Sequence, residues 1–117
     1  QCIALENETA SLLRAGAVPA EIYEKILSLV DPAFREGFMN GCKFLGHSIG
    51  LTMDETPVLA KGFSAPLESG MTLAIEPKIA IPGVGLIGCE NTYEITAGGP
   101  AQSLTGACDT LFEVLNQ

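Results

Sequence analysis

No tryptophan occurs in this 117-residue chain, and aromatic side chains make up only 6% of it. The core is therefore expected to be aliphatic, built from Leu, Ile, Val, Ala and Met. Basic residues are also scarce: six Lys and Arg stand against fourteen Asp and Glu, a net charge of −8. A protein that neutralises phosphates needs a basic face. No stretch here concentrates Lys or Arg, which argues against nucleic acid and against an anionic membrane surface as partners. No apolar run approaches the roughly 20 residues that span a bilayer. The first residues, QCIALENETA, lack the basic start and apolar core of a signal peptide. The four cysteines, Cys2, Cys42, Cys89 and Cys108, contain no C-x-x-C pair, and their gaps are long and irregular. Cys42 and Cys89 stand in apolar, strand-like surroundings, where a free thiol behaves as a small hydrophobe. Reduced cysteines and a cytoplasmic location follow.

What is present divides into two parts. The first third reads as helical. Ile3, Leu5, Leu12 and Leu13 mark one helix, with Gly16 as its stop. In "VPAEIYEKILSLV", Pro19 suits a first turn, and Ile22, Ile26, Leu27 and Val30 form an apolar stripe. Asp31-Pro32 ends that helix and is suited to capping a short helical turn through Phe38. From Gly41 onward, glycines and prolines punctuate short apolar runs, as in β-structure. "CKFLGH" is a candidate strand. "MTLAIEPKIAI" alternates, with Met71, Leu73, Ile75 and Ile79 on one face and Thr72, Ala74, Glu76 and Lys78 on the other. "LIGCENTYEIT" alternates too, with Gly88, Glu90, Thr92, Glu94 and Thr96 on one face. Residues 102–105 suggest one more short strand, and "CDTLFEVL" a terminal helix or strand. Helices over about 1–38 and a sheet over about 41–105 make a single α+β domain, with helices packed on a mainly antiparallel sheet.

The loop "IPGVG" lies between the two long alternating runs. Glu76 and Glu90 are equidistant from Gly83, so a simple hairpin sets them face to face. Opposed like charges destabilise a sheet. A cation between them would turn repulsion into attraction. The plain alternative is two solvated glutamates on an exposed face.

"GHSIG", residues 46–50, holds the sole histidine and fits two motifs. As G-x-S-x-G it would be a nucleophile elbow, which needs a strand, a strained turn and a helix. The following "IGLTMDETPVLAKGF" is a poor helix. His47 is also adjacent to Ser48, so it cannot easily reach back to the hydroxyl as a base. As a glycine-flanked metal ligand, His47 joins Glu76 and Glu90 in an N/O donor set. Such a set suits Mn²⁺, Fe²⁺, Co²⁺ or Zn²⁺. A lone histidine more often serves in packing, so the two glutamates carry this reading.

"GHSIGLTMDETPVL", "LESGMTLAIEPKIAIPGVG" and "GCENTYEITAGGPAQSLT" together resemble the aminopeptidase P, prolidase, methionine aminopeptidase and creatinase family, whose fold is called pita-bread. The likeness spans about residues 40–105 in order, and "GAVPAEIYEKI" also fits. It implies a peptidase using two divalent metal ions (Mn, Co or Zn) on peptides with proline at the second position. It implies that His47 is a metal ligand, Glu76 a ligand and general acid/base, and Glu90 a ligand bridging two metals. Gly46 and Gly50 let the backbone pass close to the site.

The chain departs from the pattern in several places. Asp54 stands where many members place a substrate-contacting histidine, and is the candidate substrate-binding residue. The Asp54-Glu55 pair resembles one branch of the aminopeptidase P-like peptidases. Gly88 stands where many prolidases carry an arginine, and Asn91 where an acid is often found. Two aspartate ligands and a further histidine of the family are not matched, since the only aspartates are Asp31, Asp54 and Asp109. The chain, which opens on Gln1, is expected to be the C-terminal half of a catalytic domain, inactive alone and binding metal weakly. A half fold leaves an apolar face to cover, which favours a homodimer. The alternative is a creatinase-like metal-independent hydrolase, or a non-catalytic binding member of the family.

Overall fold

The computed structural model describes residues 1–106. The suggested helix or strand at "CDTLFEVL" lies outside the described residues. Two helices come first, α1 (Cys2–Leu12) and α2 (Pro19–Leu29). Pro19 opens α2, where a missing N–H costs nothing. The inner face of α2 buries Ile22, Tyr23 and Ile26. The inner face of α1 is half polar: Leu5, Glu6 and Thr9 are its buried residues. The turn after α1 is pinned by Gly16 N–H to the Leu67 carbonyl (2.8 Å) and Leu67 N–H to the Ala17 carbonyl (2.8 Å). Asp31 caps a short 3-10 turn, Pro32–Phe34, its carboxylate accepting from Ala33 N–H at 2.8 Å.

Among the described residues seven strands follow: β1 (Phe44–Ser48), β2 (Glu55–Ala60), β3 (Thr72–Ile75), β4 (Lys78–Ile81), β5 (Gly85–Gly88), β6 (Asn91–Glu94) and β7 (Gln102–Ser103). β2, β1, β3, β6 and β7, in that order, form one antiparallel sheet, and β4 pairs with β5 in a second. Both helices pack on the larger sheet, α2 against β2 and α1 against β3. The shared core is aliphatic as expected, with Leu13, Ile26, Leu45, Leu59, Leu73, Ile75 and Ile95 fully buried.

The two long alternating runs are each broken in half. "MTLAIEPKIAI" becomes β3 and β4, and "LIGCENTYEIT" becomes β5 and β6, in different sheets. Pro77 supplies the reason, since it has no N–H to give to a ladder. Its carbonyl still accepts from Cys89 N–H at 3.2 Å, and Glu76 N–H turns to the Leu45 carbonyl at 3.1 Å. Across the break the register is unchanged: Ile75 opposes Asn91 on one side, and Lys78 opposes Gly88 on the other. Glu76 and Glu90 therefore stand across from one another at the junction of the two sheets. Cys42 corrects its expectation. It follows a 3-10 turn, Met39–Gly41, and is exposed rather than strand-like, because the strand begins only at Phe44.

Candidate metal centre

Opposed residues on neighbouring antiparallel strands share a face. His47, Ala74 and Thr92 form one such row across β1, β3 and β6. The adjoining rows, Gly46–Ile75–Asn91 and Ser48–Leu73–Tyr93, point the other way. That second face meets α1, where Asn91 and Tyr93 both reach Glu6. His47 thus projects from the face away from the helices. The β1–β2 register slips on both sides of it, between Phe44 and His47 and again between His47 and Ser48. Such bulges re-aim a side chain. Gly46 allows the close passage of strands that this needs: a Cβ there would lie 2.3 Å from the Ala74 carbonyl oxygen.

The imidazole is held in one tautomer. A carbonyl can only accept, so Nδ1 donates to the Ser48 carbonyl at 3.0 Å. In the neutral ring, Nε2 is then the lone-pair nitrogen, as a metal ligand requires. Two carboxylates meet it: Asp54 Oδ1 at 3.2 Å and Glu76 Oε1 at 3.6 Å. Two carboxylates so placed favour positive charge at that nitrogen. Their settings differ, since the Glu76 side chain is 15% exposed and that of Asp54 is 72% exposed. Glu76 is the fixed partner, and Asp54 faces solvent.

The second oxygen of Glu76 is also engaged. Lys78 Nζ donates to Oε2, and the same ammonium lies 5.9 Å from the Phe44 ring centroid. Sequence alternation places Lys78 on the face of Glu76, so the signal was present, but a lysine beside two glutamates reads first as surface charge. Glu90, across from Glu76, shares with it a shallow cavity of about 240 Å³ lined also by Lys78, Leu86, Gly88 and Cys89. Among the described residues no three His, Cys, Asp or Glu side chains close round a common point. The donor chemistry fits a divalent metal ion, but the donors supply only part of a coordination shell.

Ser48 lies off this centre. Its hydroxyl donates to the Thr72 carbonyl at 2.9 Å. The loop from Gly50 to Glu55 is closed by Glu55, whose Oε1 accepts from Thr52 N–H at 2.8 Å and from the Thr52 hydroxyl at 3.1 Å. Those bonds, the backbone one first, hold the Glu55 carboxyl below the usual range for glutamate. The same loop carries Asp54 to His47. Sequence reasoning missed this role of Glu55, although an acid three residues after Thr52 is a recognisable turn-closing spacing.

Comparison with known proteins identifies the fold and the family. Residues 2–97 match the model of metallopeptidase family M24. The chain is 37% identical over 71 residues to the Xaa-Pro dipeptidase of Lactobacillus delbrueckii subsp. lactis, covering 61% of this chain and 18% of that one. It is 41% identical over 61 residues to the Xaa-Pro dipeptidase of Pyrococcus furiosus, covering 52% and 17% respectively. The fold superposes on X-Pro aminopeptidase from Thermotoga maritima MSB8 with a TM-score of 0.84 at 22% identity, over 97% of this chain and 31% of that one. It superposes on prolidase from Pyrococcus furiosus with a TM-score of 0.79 at 25% identity, over 90% and 30%. The chain thus spans less than a third of the length of each of these relatives. The α+β arrangement of two helices on a mainly antiparallel sheet is thus that of the pita-bread enzymes, and the chain belongs to metallopeptidase family M24.

Proposed function

We propose that the polypeptide carrying this chain hydrolyses peptides with proline at the second position, as an Xaa-Pro aminopeptidase or dipeptidase. The observation that carries this is the meeting of His47 Nε2 with Asp54 Oδ1 and Glu76 Oε1, at 3.2 and 3.6 Å. Divalent metal ions (Mn, Co or Zn), two in the complete site, would be held by His47, Glu76 and Glu90. When bound they supply Lewis acidity, activating water and polarising the scissile carbonyl. Glu76 is the general acid/base and takes the proton of the attacking water. Asp54, exposed at the rim, contacts the substrate. The remaining ligands come from chain outside these 117 residues, so the piece alone is inactive. The chain is the C-terminal half of the catalytic domain, its exposed apolar side chains favour a homodimer, and the exposed thiol of Cys42 suits a reducing cytoplasm.

The test is turnover of X-Pro dipeptides and longer X-Pro peptides by the full-length protein with Mn²⁺ or Co²⁺. Turnover that H47A and E76Q each abolish is expected. A folded protein that cleaves neither substrate with either metal rules the reading out. One observation favours the second reading, a creatinase-like metal-independent hydrolase or a binding member. Lys78 already gives Glu76 a cation. Elemental analysis separates the two: about two transition metals per chain excludes the second.

A further inference from the structure

Glu6 sits in α1, on the side of the sheet away from His47, and is completely buried (0% exposed). Its Oε1 accepts from Asn91 Nδ2 at 2.6 Å and from the Tyr93 hydroxyl at 2.9 Å. Its Oε2 is buried with no hydrogen-bond partner among the described residues. A buried carboxylate needs donors, and the loss of one is costly. Asn91 meets this need and does more. Its Oδ1 accepts from the Thr105 hydroxyl at 2.8 Å, and that hydroxyl accepts from Thr92 N–H at 2.9 Å. One amide therefore ties the first residue of β6 both to α1 and to the segment after β7.

The position of this tie matters. Glu90 precedes Asn91 and lies in the gap between the two sheets, outside both ladders. The strand start at Asn91, opposite Ile75, is the nearest fixed point on its C-terminal side. Asn91 also stands where the family often has an acid. An aspartate there would set two carboxyl groups 2.6 Å apart with no amide N–H between them. An amide resolves this clash.

We infer that Glu6 and Asn91 are a matched pair that positions Glu90 for the metal centre, with Glu6 acting through the sheet from the opposite face. This rests on the metal-centre reading above. Glu6 touches neither metal nor substrate and is a positioning residue. Groups hydrogen-bonded directly to metal ligands change metal affinity by about 10-fold to 100-fold when lost, and this pair acts on Glu90 through the adjoining backbone.

The test compares full-length N91D, E6Q and E6Q/N91D by Mn²⁺ affinity, read from the EPR signal of the free ion, and by metal-free thermal unfolding. E6Q keeps an acceptor for Asn91 and Tyr93, so its Mn²⁺ affinity should stay close to that of the unaltered protein. N91D should bind about 10-fold more weakly, at the low end of that range. In E6Q/N91D the carboxamide at position 6 donates to the carboxylate at 91, and affinity should return. A purely structural pair would lower the N91D unfolding temperature and leave its Mn²⁺ affinity unchanged, which would overturn the inference. If N91D does not fold, the double variant decides. Folding with near-normal affinity supports the pairing, whereas failure to fold or to bind overturns it. Absence of Mn²⁺ binding by the unaltered protein removes the metal centre itself and this inference with it.

Discussion

Lys78 and Gly88 are opposed residues of the β4–β5 hairpin, and a Cβ at position 88 would lie 2.7 Å from that of Lys78. The same Cβ would lie 2.8 Å from the Pro77 carbonyl oxygen. Both contacts are closer than real Cβ atoms tolerate. Position 88 is also where many prolidases carry an arginine. In this chain Lys78, on the facing strand, is the cation beside Glu76, and Gly88 leaves room for its side chain. G88A should therefore destabilise the fold by about 1–3 kcal/mol, the usual cost of overpacking. Urea denaturation measures this. A G88A midpoint equal to that of the unaltered protein would show that the hairpin relaxes freely. G88R should be worse than G88A rather than restorative.

The Lys78 ammonium shares the Glu76 carboxylate with any divalent ion that binds there. At an effective dielectric of about 20, two unit charges about 4 Å apart interact by about 4 kcal/mol, and a divalent ion doubles the repulsion. K78M should therefore tighten Mn²⁺ binding by at least about tenfold, a change of only about 1.4 kcal/mol. Titration calorimetry on the full-length protein checks this. Weaker binding in K78M would mean that Lys78 orients Glu76 rather than competing for it.

Ser48 belongs to the helix-facing side of the sheet, its hydroxyl on the Thr72 carbonyl. S48A should cost about 0.5–1.5 kcal/mol of stability, the net value of one hydrogen bond. In the full-length protein it should leave the proposed X-Pro hydrolysis unchanged. A loss of turnover comparable to that of H47A would revive the nucleophile reading of GHSIG.

The hairpin register about Gly83 was legible because two alternating runs flank one short Pro-Gly loop, which centres their pairing. It holds through both sheets, from Thr72 opposite Glu94 to Ile81 opposite Gly85. The break at Pro77 was less legible, since alternation continues across it while the missing N–H interrupts the ladder. β2 gave little signal because Pro57 interrupts "ETPVLA". The strand survives as the edge of the sheet, where a proline is tolerated. At the site, spacing predicted only that Glu76 and Glu90 face one another, and grouping His47 with them as metal ligands rested on the family resemblance. Glu6 was not legible. An acid on a helix is nearly always solvated, and only the packing of α1 against Asn91 and Tyr93 shows this one inside.

Glu55 makes the loop that delivers Asp54 sensitive to acid. Its carboxyl is held below the ordinary value of 4.5 by the bonds from Thr52. A carboxylate depressed in the folded state adds stability above its unfolded pKa, and that contribution fades as pH falls through the folded value. The 50–55 turn should therefore be fully closed at neutral pH and loosen only below about pH 4.5. Carbon-detected NMR titration of the Glu55 carboxyl, with the Thr52 amide shift followed in parallel, measures this. A Glu55 midpoint at or above 4.5, or an E55Q variant with an unchanged Thr52 amide, would show that the turn closes without this carboxylate.

The β4–β5 hairpin leaves Val84, Leu86 and Ile87 at 68%, 54% and 49% exposure. A two-stranded sheet is marginal alone and normally needs a covering surface. These apolar side chains lie on both faces of the hairpin, Leu86 beside Ala80 on one and Ile87 beside Ile79 on the other, and exposed apolar surface of this kind mediates association. Opposing this is the net charge of −8, which repels like copies at long range. The 117-residue polypeptide alone should therefore self-associate, more strongly as salt screens that repulsion. L86E and I87E should shift it towards monomer by cutting that surface and adding to the charge. Sedimentation velocity across a salt series distinguishes the outcomes. A monomer at high concentration and high salt would mean that the hairpin covers itself, and that the apolar surface needs neither a second copy nor further chain.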